Sequence, residues 1–149
     1  MYFPQYVKNA VLVGAIGNVG NFLKRTVDVF SIIGNKLPFT LVYRVFSKVL
    51  MPMRCSKKSR KLFCECAKAL KYEFKAYMNV FKEHFSLVSK FSSQRHQENQ
   101  YILGEWDKCF LKGAVHEARA TCAKIVILKH SGHVCNIDSA DEFNRIIME

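Results

Sequence analysis

The feature that most constrains the fold is a long stretch of helical spacing in the middle of the chain. Apolar side chains recur every three or four positions through residues 57–83, a segment that is otherwise rich in lysine; they are Phe63, Cys66, Leu70, Phe74, Tyr77 and Phe81. This period places them on one face of a helix, and Ser56 is a suitable N-cap for it. The whole chain has only seven glycines and three prolines, which disfavours a turn-rich all-β fold.

Two further helices are predicted on either side of this segment. One runs from about Phe39 to Leu50, because Pro38 suits a first helical turn and Pro52 cannot continue the helix. The other is predicted for about residues 98–128, where apolar residues again follow helical spacing. Short loops between these segments would place the helices antiparallel to one another.

The C-terminal region adds one short helix. Ser139 and Glu142 form a capping box, which predicts that a helix begins there. Since the pattern contains no convincing strand, the sequence predicts an all-α fold, an antiparallel three-helix bundle with an N-terminal apolar arm and a short C-terminal helix. We expect an apolar and basic arm at residues 1–37, a three-helix domain at residues 38–128 and an extension at residues 129–149.

The positive charge is concentrated in one part of the chain. The net charge is +11, and residues 44–82 hold eleven Lys and Arg against two acids, whereas residues 83–149 hold eight against nine. Such a block requires an anionic partner or a solvated face. Nucleic acid, an anionic membrane and an acidic protein each meet this requirement. The aromatic residues of the second helix fall on its apolar face rather than among the lysines, which disfavours base stacking.

No catalytic pattern stands out in the sequence. It contains neither the nucleophile elbow of a serine hydrolase nor a phosphate-binding loop, so we expect a protein that is not an enzyme and that binds no metal. A zinc site formed by His130, His133 and Cys135 is an alternative, although the sequence does not supply a complete set of four ligands there. The six cysteines are expected to be reduced thiols, since no secretory signal is recognisable.

Two short motifs lie in register on the first two predicted helices. The first is Val42-Tyr43-Arg44 followed by Phe46, and the second is the run Leu70–Lys75, which reads Leu-Lys-Tyr-Glu-Phe-Lys. Together they resemble the mitochondrial LYR (complex 1 LYR) family, in which Leu-Tyr-Arg opens the first helix and Ile-Arg-x-x-Phe-Arg lies late in the second. Val42 stands where the family has leucine, and Lys71 and Lys75 stand where it has arginine.

The resemblance implies a non-catalytic accessory subunit, best matched to respiratory complex I, on the matrix side of the inner mitochondrial membrane. Such a subunit binds the mitochondrial acyl carrier protein and holds the carrier's acylated 4′-phosphopantetheine between its helices, with no cofactor bound directly. The docking residues that it implies are Tyr43 and Arg44, to which the charge pattern adds Lys48, Lys71 and Lys75. The acyl tunnel would be lined by Phe46, Leu70 and Phe74.

The same sequence features are compatible with other mitochondrial assemblies. An RNA-contacting or structural subunit of a mitochondrial ribosome and an accessory subunit of mitochondrial ATP synthase are the alternatives, with neighbouring subunits as partners in each case. Peripheral membrane contact through residues 1–33 is a further alternative. The apolar run from Ala10 to Phe22 is shorter than the roughly 20 residues that a spanning helix requires.

Overall fold

The chain forms a small parallel sheet with helices packed around it, and the computed structural model describes residues 9–17, 20–33, 36–69 and 99–148. The elements are β1 (Val11–Val13), α1 (Asn21–Ile33), α2 (Phe39–Leu50), α3 (Lys57–Ala69), β2 (Gln100–Gly104), α4 (Leu111–Ala120), β3 (Lys124–Leu128), α5 (Cys135–Asp138) and α6 (Ala140–Met148). The predicted all-α three-helix bundle is therefore wrong, because the fold is mixed α/β.

The sheet has three strands in the order β1-β2-β3, and both pairs are parallel. Val11 pairs with Gln100, and Gln100 pairs in turn with Lys124. The chain therefore leaves the sheet after β1, forms three helices within the described part of the connection and returns to the neighbouring position in the sheet as β2. All three strands end at the same edge, which we call the carboxyl edge.

The predicted third helix at residues 98–128 is wrong for a specific reason. This region contains β2, the ten-residue helix α4 and β3. A parallel strand that is covered on both faces is a continuous apolar run, and so lacks the alternation that marks a half-exposed strand. The run Tyr101–Leu103 of β2 is of this kind. The run Ile125–Leu128 of the edge strand β3 is also continuously apolar, although Ile127 is 47% exposed. Their apolar residues, read together with those of α4, imitate helical spacing.

The two faces of the sheet are covered by different helices. On one face, Tyr101 and Leu103 pack with Ala114 and Ala118 of α4. On the other face, Ile102 and Leu128 pack with Cys135 and, further out, with the apolar side of α6. Because successive side chains of a strand point to opposite faces, this alternation buries β2 from both directions.

Helices α1, α2 and α3 form a separate helical layer with its own core. Val27 of α1 and Val42 and Phe46 of α2 are buried there, together with Phe110, which follows β2. The prediction of a helix from Phe39 to Leu50 is confirmed. A helix also begins after Ser56 as predicted; its described part ends at Ala69, and residues 70–98 lie outside the described residues. The helical layer contacts the residues that follow the strands and so covers the carboxyl edge.

Candidate functional site

A carboxylate and an imidazole meet at the carboxyl edge of the sheet. Asp107 lies three residues after the end of β2, and His133 lies five residues after the end of β3. The Nδ1 atom of His133 is 2.7 Å from Oδ2 of Asp107. The Asp107 side chain is only 2% exposed, whereas that of His133 is 18% exposed. The pair is thus buried on its acidic side and open on its imidazole side.

The Asp107 carboxylate is held in place by the backbone of the turn before α4. Its Oδ1 atom accepts hydrogen bonds from the N–H groups of Cys109, at 3.2 Å, and Phe110, at 3.0 Å. The N–H of Asp107 itself donates to the carbonyl of Gly104 at 3.1 Å. One carboxylate oxygen therefore organises the start of a helix while the other contacts the imidazole. Fixed on both oxygens, the carboxylate has little freedom to rotate.

The His133 ring is placed by the ends of all three strands. Phe110 lies against it, with 4.5 Å between the ring centroids. Gly14, directly after β1, has φ +53°, and a Cβ at this position would lie 2.3 Å from the carbonyl oxygen of His133. Only glycine fits such a close approach at a positive φ. Gly14 also donates its N–H to the carbonyl of Ile102 in β2 at 3.0 Å, so the end of β1 lies against the backbone of His133.

A second carboxylate ties the His133 loop to the helical layer. Oδ2 of Asp138 accepts hydrogen bonds from the N–H of Gly132, at 3.0 Å, and from Ser56 Oγ, at 2.8 Å. Its Oδ1 accepts a short hydrogen bond from Ser59 Oγ. Both serines are essentially fully buried at the start of α3. Asp138 therefore joins the residue that precedes His133 to a helix that lies above the site.

An imidazole paired with a buried carboxylate in this way can act as a general base. The carboxylate accepts the Nδ1 proton, which leaves Nε2 as the basic nitrogen and stabilises the imidazolium that forms when a proton arrives. Among the described residues, the hydrogen bond to Asp107 is the one side-chain hydrogen bond of His133. The arrangement provides a base and its orienting acid, and such a pair activates a hydroxyl or thiol nucleophile.

The two thiols nearest this pair are poorly suited to be that nucleophile. Burial, and secondly the Asp107 carboxylate, raises the pKa of the Cys109 thiol. Burial also raises the pKa of the Cys135 thiol. Both Sγ atoms donate to backbone carbonyls, those of Val49 and Ile102 respectively, at 3.5 Å. A reactive cysteine requires a lowered pKa, so these thiols are structural.

A separate open cleft of about 340 Å³ lies beside β1 on the side that α4 covers. Its lining is mostly aliphatic, with Tyr101 and Glu117 as the polar members. Burial, and secondly Glu117, raises the pKa of Tyr101 to about 12, and burial raises the pKa of Glu117. Tyr101 is therefore neutral, and burial disfavours the ionised form of Glu117.

The residues that the sequence proposed for carrier binding are described only in part, and their docking role stays a prediction. Tyr43 is buried, with its ring 5.3 Å from that of Phe63, and Phe46 is fully buried in the helical layer. Arg44 and Lys48 are exposed on α2. Four predicted residues lie outside the described residues: Leu70, Lys71, Phe74 and Lys75. The three-helix fold that the LYR resemblance implies is not present, and its implied carrier binding, complex I membership and mitochondrial location stay predictions.

The alternative zinc site has a different arrangement in the structure. The Nδ1 atom of His133 contacts Asp107, and the thiol of Cys135 points to a backbone carbonyl. Within the described part of the chain, no group of three or more His, Cys, Asp or Glu side chains is arranged to hold a metal ion. All six cysteines are unpaired thiols.

Sequence reasoning missed Asp107 and considered His133 only as a candidate zinc ligand, although a signal for their pairing was present. Each follows a short apolar run and a glycine turn: Gly104-Glu-Trp-Asp107 after β2, and Ser131-Gly-His133 after β3. The carboxyl ends of parallel strands are where α/β proteins place their functional residues. Recognising the two runs as strands would have placed the acid and the histidine at one edge.

Among the described helices, none is both long and apolar enough to cross a membrane. Comparisons of the chain with protein-family models, with curated proteins and with solved structures gave no significant match.

Proposed function

We propose that Asp107 and His133 are the acid and the base of a hydrolase that cleaves esters or related acyl compounds through a nucleophilic hydroxyl or thiol. The observation that carries this proposal is the 2.7 Å contact between His133 Nδ1 and a buried, doubly anchored carboxylate. The same contact in serine hydrolases holds the imidazole in the tautomer that can accept a proton at Nε2.

The topology supports an enzyme of the α/β-hydrolase type. In that fold the triad residues follow the chain order nucleophile, acid, histidine, whereas chymotrypsin and subtilisin use other orders. Here the acid follows β2, the histidine follows the neighbouring parallel strand β3, and both lie at the carboxyl edge. The order assigns the nucleophile to a position before Asp107. The 149 residues contain no Gly-x-Ser-x-Gly elbow, so the nucleophile is assigned by chain order alone.

The chemistry follows from the positions of these two groups. His133 Nε2 takes the proton of the nucleophile as the nucleophile attacks the acyl carbon, and Asp107 stabilises the resulting imidazolium. The imidazolium then gives that proton to the leaving alcohol. In the second half-reaction Nε2 takes a proton from water as the water attacks the acyl-enzyme. The imidazolium then returns this proton to the nucleophile as the bond to the acyl carbon breaks and the carboxylic acid leaves. The partly exposed imidazole lies beneath the helical layer, where Phe110 and Val134 give the surroundings an apolar character.

The test uses the natural protein, with whatever residues flank this sequence, a fluorophosphonate probe and p-nitrophenyl butyrate. We expect one covalent adduct, located by peptide mass spectrometry on a residue before Asp107, together with ester turnover. Asp107→Asn should lower turnover by about 10⁴-fold and His133→Ala by at least about 10³-fold. His116→Ala is the matched control, because His116 is exposed on α4 and away from the pair.

A second measurement reports the pair itself, whatever the nucleophile is. The proton shared by Nδ1 and Asp107 should give a downfield imidazole resonance that disappears in Asp107→Asn and persists in His116→Ala. The proposal is refuted if the folded wild-type protein shows neither adduct nor turnover, or if His133→Ala retains both.

A further inference from the structure

The positive charge of the protein resides in the helical layer. The described residues 20–69 hold eleven Lys and Arg against two acids, Asp28 and Glu65. The described residues 99–148, which form β2, β3 and their helices, hold six Lys and Arg against six acids. Ten of the eleven cations of the helical layer are exposed. The helical layer is therefore strongly cationic, and the sheet part is close to neutral.

The cations alternate with exposed aliphatic side chains. Along α2, the exposed positions Leu41, Arg44, Val45 and Lys48 recur at helical spacing, while the opposite face of this helix is buried. Leu41 and Val45 are each 44% exposed and lie four residues apart, so they are neighbours on the outer face of this helix. The outer stripe of α2 is thus half aliphatic and half cationic.

The neighbouring helices repeat this composition. On α1, Val29 and Ile32 are 51% and 68% exposed, beside exposed Lys24 and Arg25. On α3, exposed Leu62 lies among Lys57, Lys58, Lys61 and Lys68. Since the buried faces of the three helices share one core, their exposed stripes turn away from that core. We call these three exposed stripes, taken together, the outer surface of the helical layer.

We propose that the outer surface of the helical layer binds an anionic phospholipid membrane. Aliphatic side chains on a cationic amphipathic helix insert shallowly at the boundary between headgroups and acyl chains, while lysine and arginine contact the headgroups. A nucleic acid fits the surface less well, because single-stranded binding relies on exposed aromatic side chains. The large exposed apolar residues of the described part of this layer are all aliphatic.

The test is co-sedimentation with two kinds of extruded vesicle, one of pure phosphatidylcholine and one with roughly 30% phosphatidylserine, a content that gives a strongly negative surface. We expect binding to the anionic vesicles that is at least about tenfold tighter and that weakens with salt. Lys57→Glu/Lys58→Glu/Lys61→Glu should reduce binding at least about tenfold. Leu41→Ser/Val45→Ser should also reduce binding, since it removes the inserting side chains.

The matched control is Lys112→Glu/Arg119→Glu/Lys124→Glu, which reverses three exposed cations on the sheet part and should bind as the wild type does. Equal binding by the two triple variants would overturn the proposal, as would equal binding to neutral and anionic vesicles. If the protein does not bind vesicles but binds an oligonucleotide in a salt-sensitive way, the surface is a nucleic-acid site. If it instead forms a complex with an acyl carrier protein that requires Arg44 and Lys48, the surface is a carrier-binding site. None of these outcomes depends on the proposed hydrolase activity.

Discussion

Asp138 joins the His133 loop to the helical layer, and the effect of removing its carboxylate can be worked out from its three hydrogen bonds. The substitution Asp138→Ala removes the acceptor for Ser56 Oγ, Ser59 Oγ and the N–H of Gly132. Both serines are buried, with exposed fractions of 0% and 2%. Water therefore cannot easily replace the lost acceptor at any of the three positions.

Each buried donor left without a partner costs about 1–3 kcal/mol. The two hydroxyls can rotate in search of another acceptor, whereas the Gly132 N–H is fixed. We therefore expect Asp138→Ala to lower the free energy of unfolding by about 3–5 kcal/mol. Ser59→Ala removes one donor and leaves the carboxylate with two others, so it should cost about 1–2 kcal/mol.

The assay is equilibrium unfolding in urea, followed by circular dichroism, with the midpoint and the m value compared between variants. Asp141→Ala is the control, because Asp141 is an exposed acid in the first turn of α6 and contributes at most about 0.3–1 kcal/mol through the helix dipole. A loss below about 1 kcal/mol for Asp138→Ala, at an unchanged m value, would refute this account of the loop, since a buried acceptor cannot be removed so cheaply.

Two further predictions concern groups whose pKa is raised by burial. Because burial raises the pKa of Glu117, ionisation of this side chain opposes folding. Glu117→Gln should therefore stabilise the protein at pH 7 and lose this advantage in acid, where Glu117 is protonated in both the folded and the unfolded state. A gain in melting temperature that is the same at every pH in thermal scans would contradict this. The thiols of Cys66 and Cys122 are exposed, while the pKa of Cys109 and Cys135 is raised. A disulfide reagent should therefore label the first two in the folded protein and the other two after unfolding, and early labelling of Cys135 would show that its burial is incomplete.

Local signals in the sequence identified the helices well. Pro38 and Pro52 bracket α2, and the observed helix runs from Phe39 to Leu50 as predicted. Ser56 precedes α3, and Ser139 precedes α6, where its carbonyl accepts the N–H of Phe143 at 3.0 Å. Proline and capping residues act within a few positions of themselves, so the sequence alone is enough to locate these boundaries.

The sheet and the site depend on contacts that local patterns do not encode. The strand β2 is buried on both faces and so shows no alternation. The edge strand β3 is also a continuous apolar run, and the apolar residues of both strands merge with those of α4 in the sequence. Interpreting residues 98–128 as one helix placed Asp107 on that helix and His133 in the extension beyond its end. Their contact depends on the parallel pairing of β2 with β3, which brings together residues that no helical period relates.

The fold that the LYR resemblance implies differs from the observed fold for a related reason. Tyr43 and Phe46 do lie on a helix, as the motif requires, but both are buried in the core of the helical layer. Ordinary amphipathic packing is therefore enough to account for the pattern Val42-Tyr43-Arg44, since Val42 and Tyr43 are buried and Arg44 is exposed. A three-residue motif cannot distinguish a docking edge from such a helix, because both need the same alternation of apolar and charged positions.

The position of the helical layer between two neighbouring strands has a consequence for how this architecture can vary. Val11 in β1 pairs with Gln100 in β2, about 90 positions later in the chain, yet the ends of the intervening segment lie side by side. The free energy of closing a connection between these two strands changes only slowly with the length of the connection. The layer is thus a replaceable module, whose exchange would alter what reaches the imidazole while the strands that hold Asp107 and His133 keep their register.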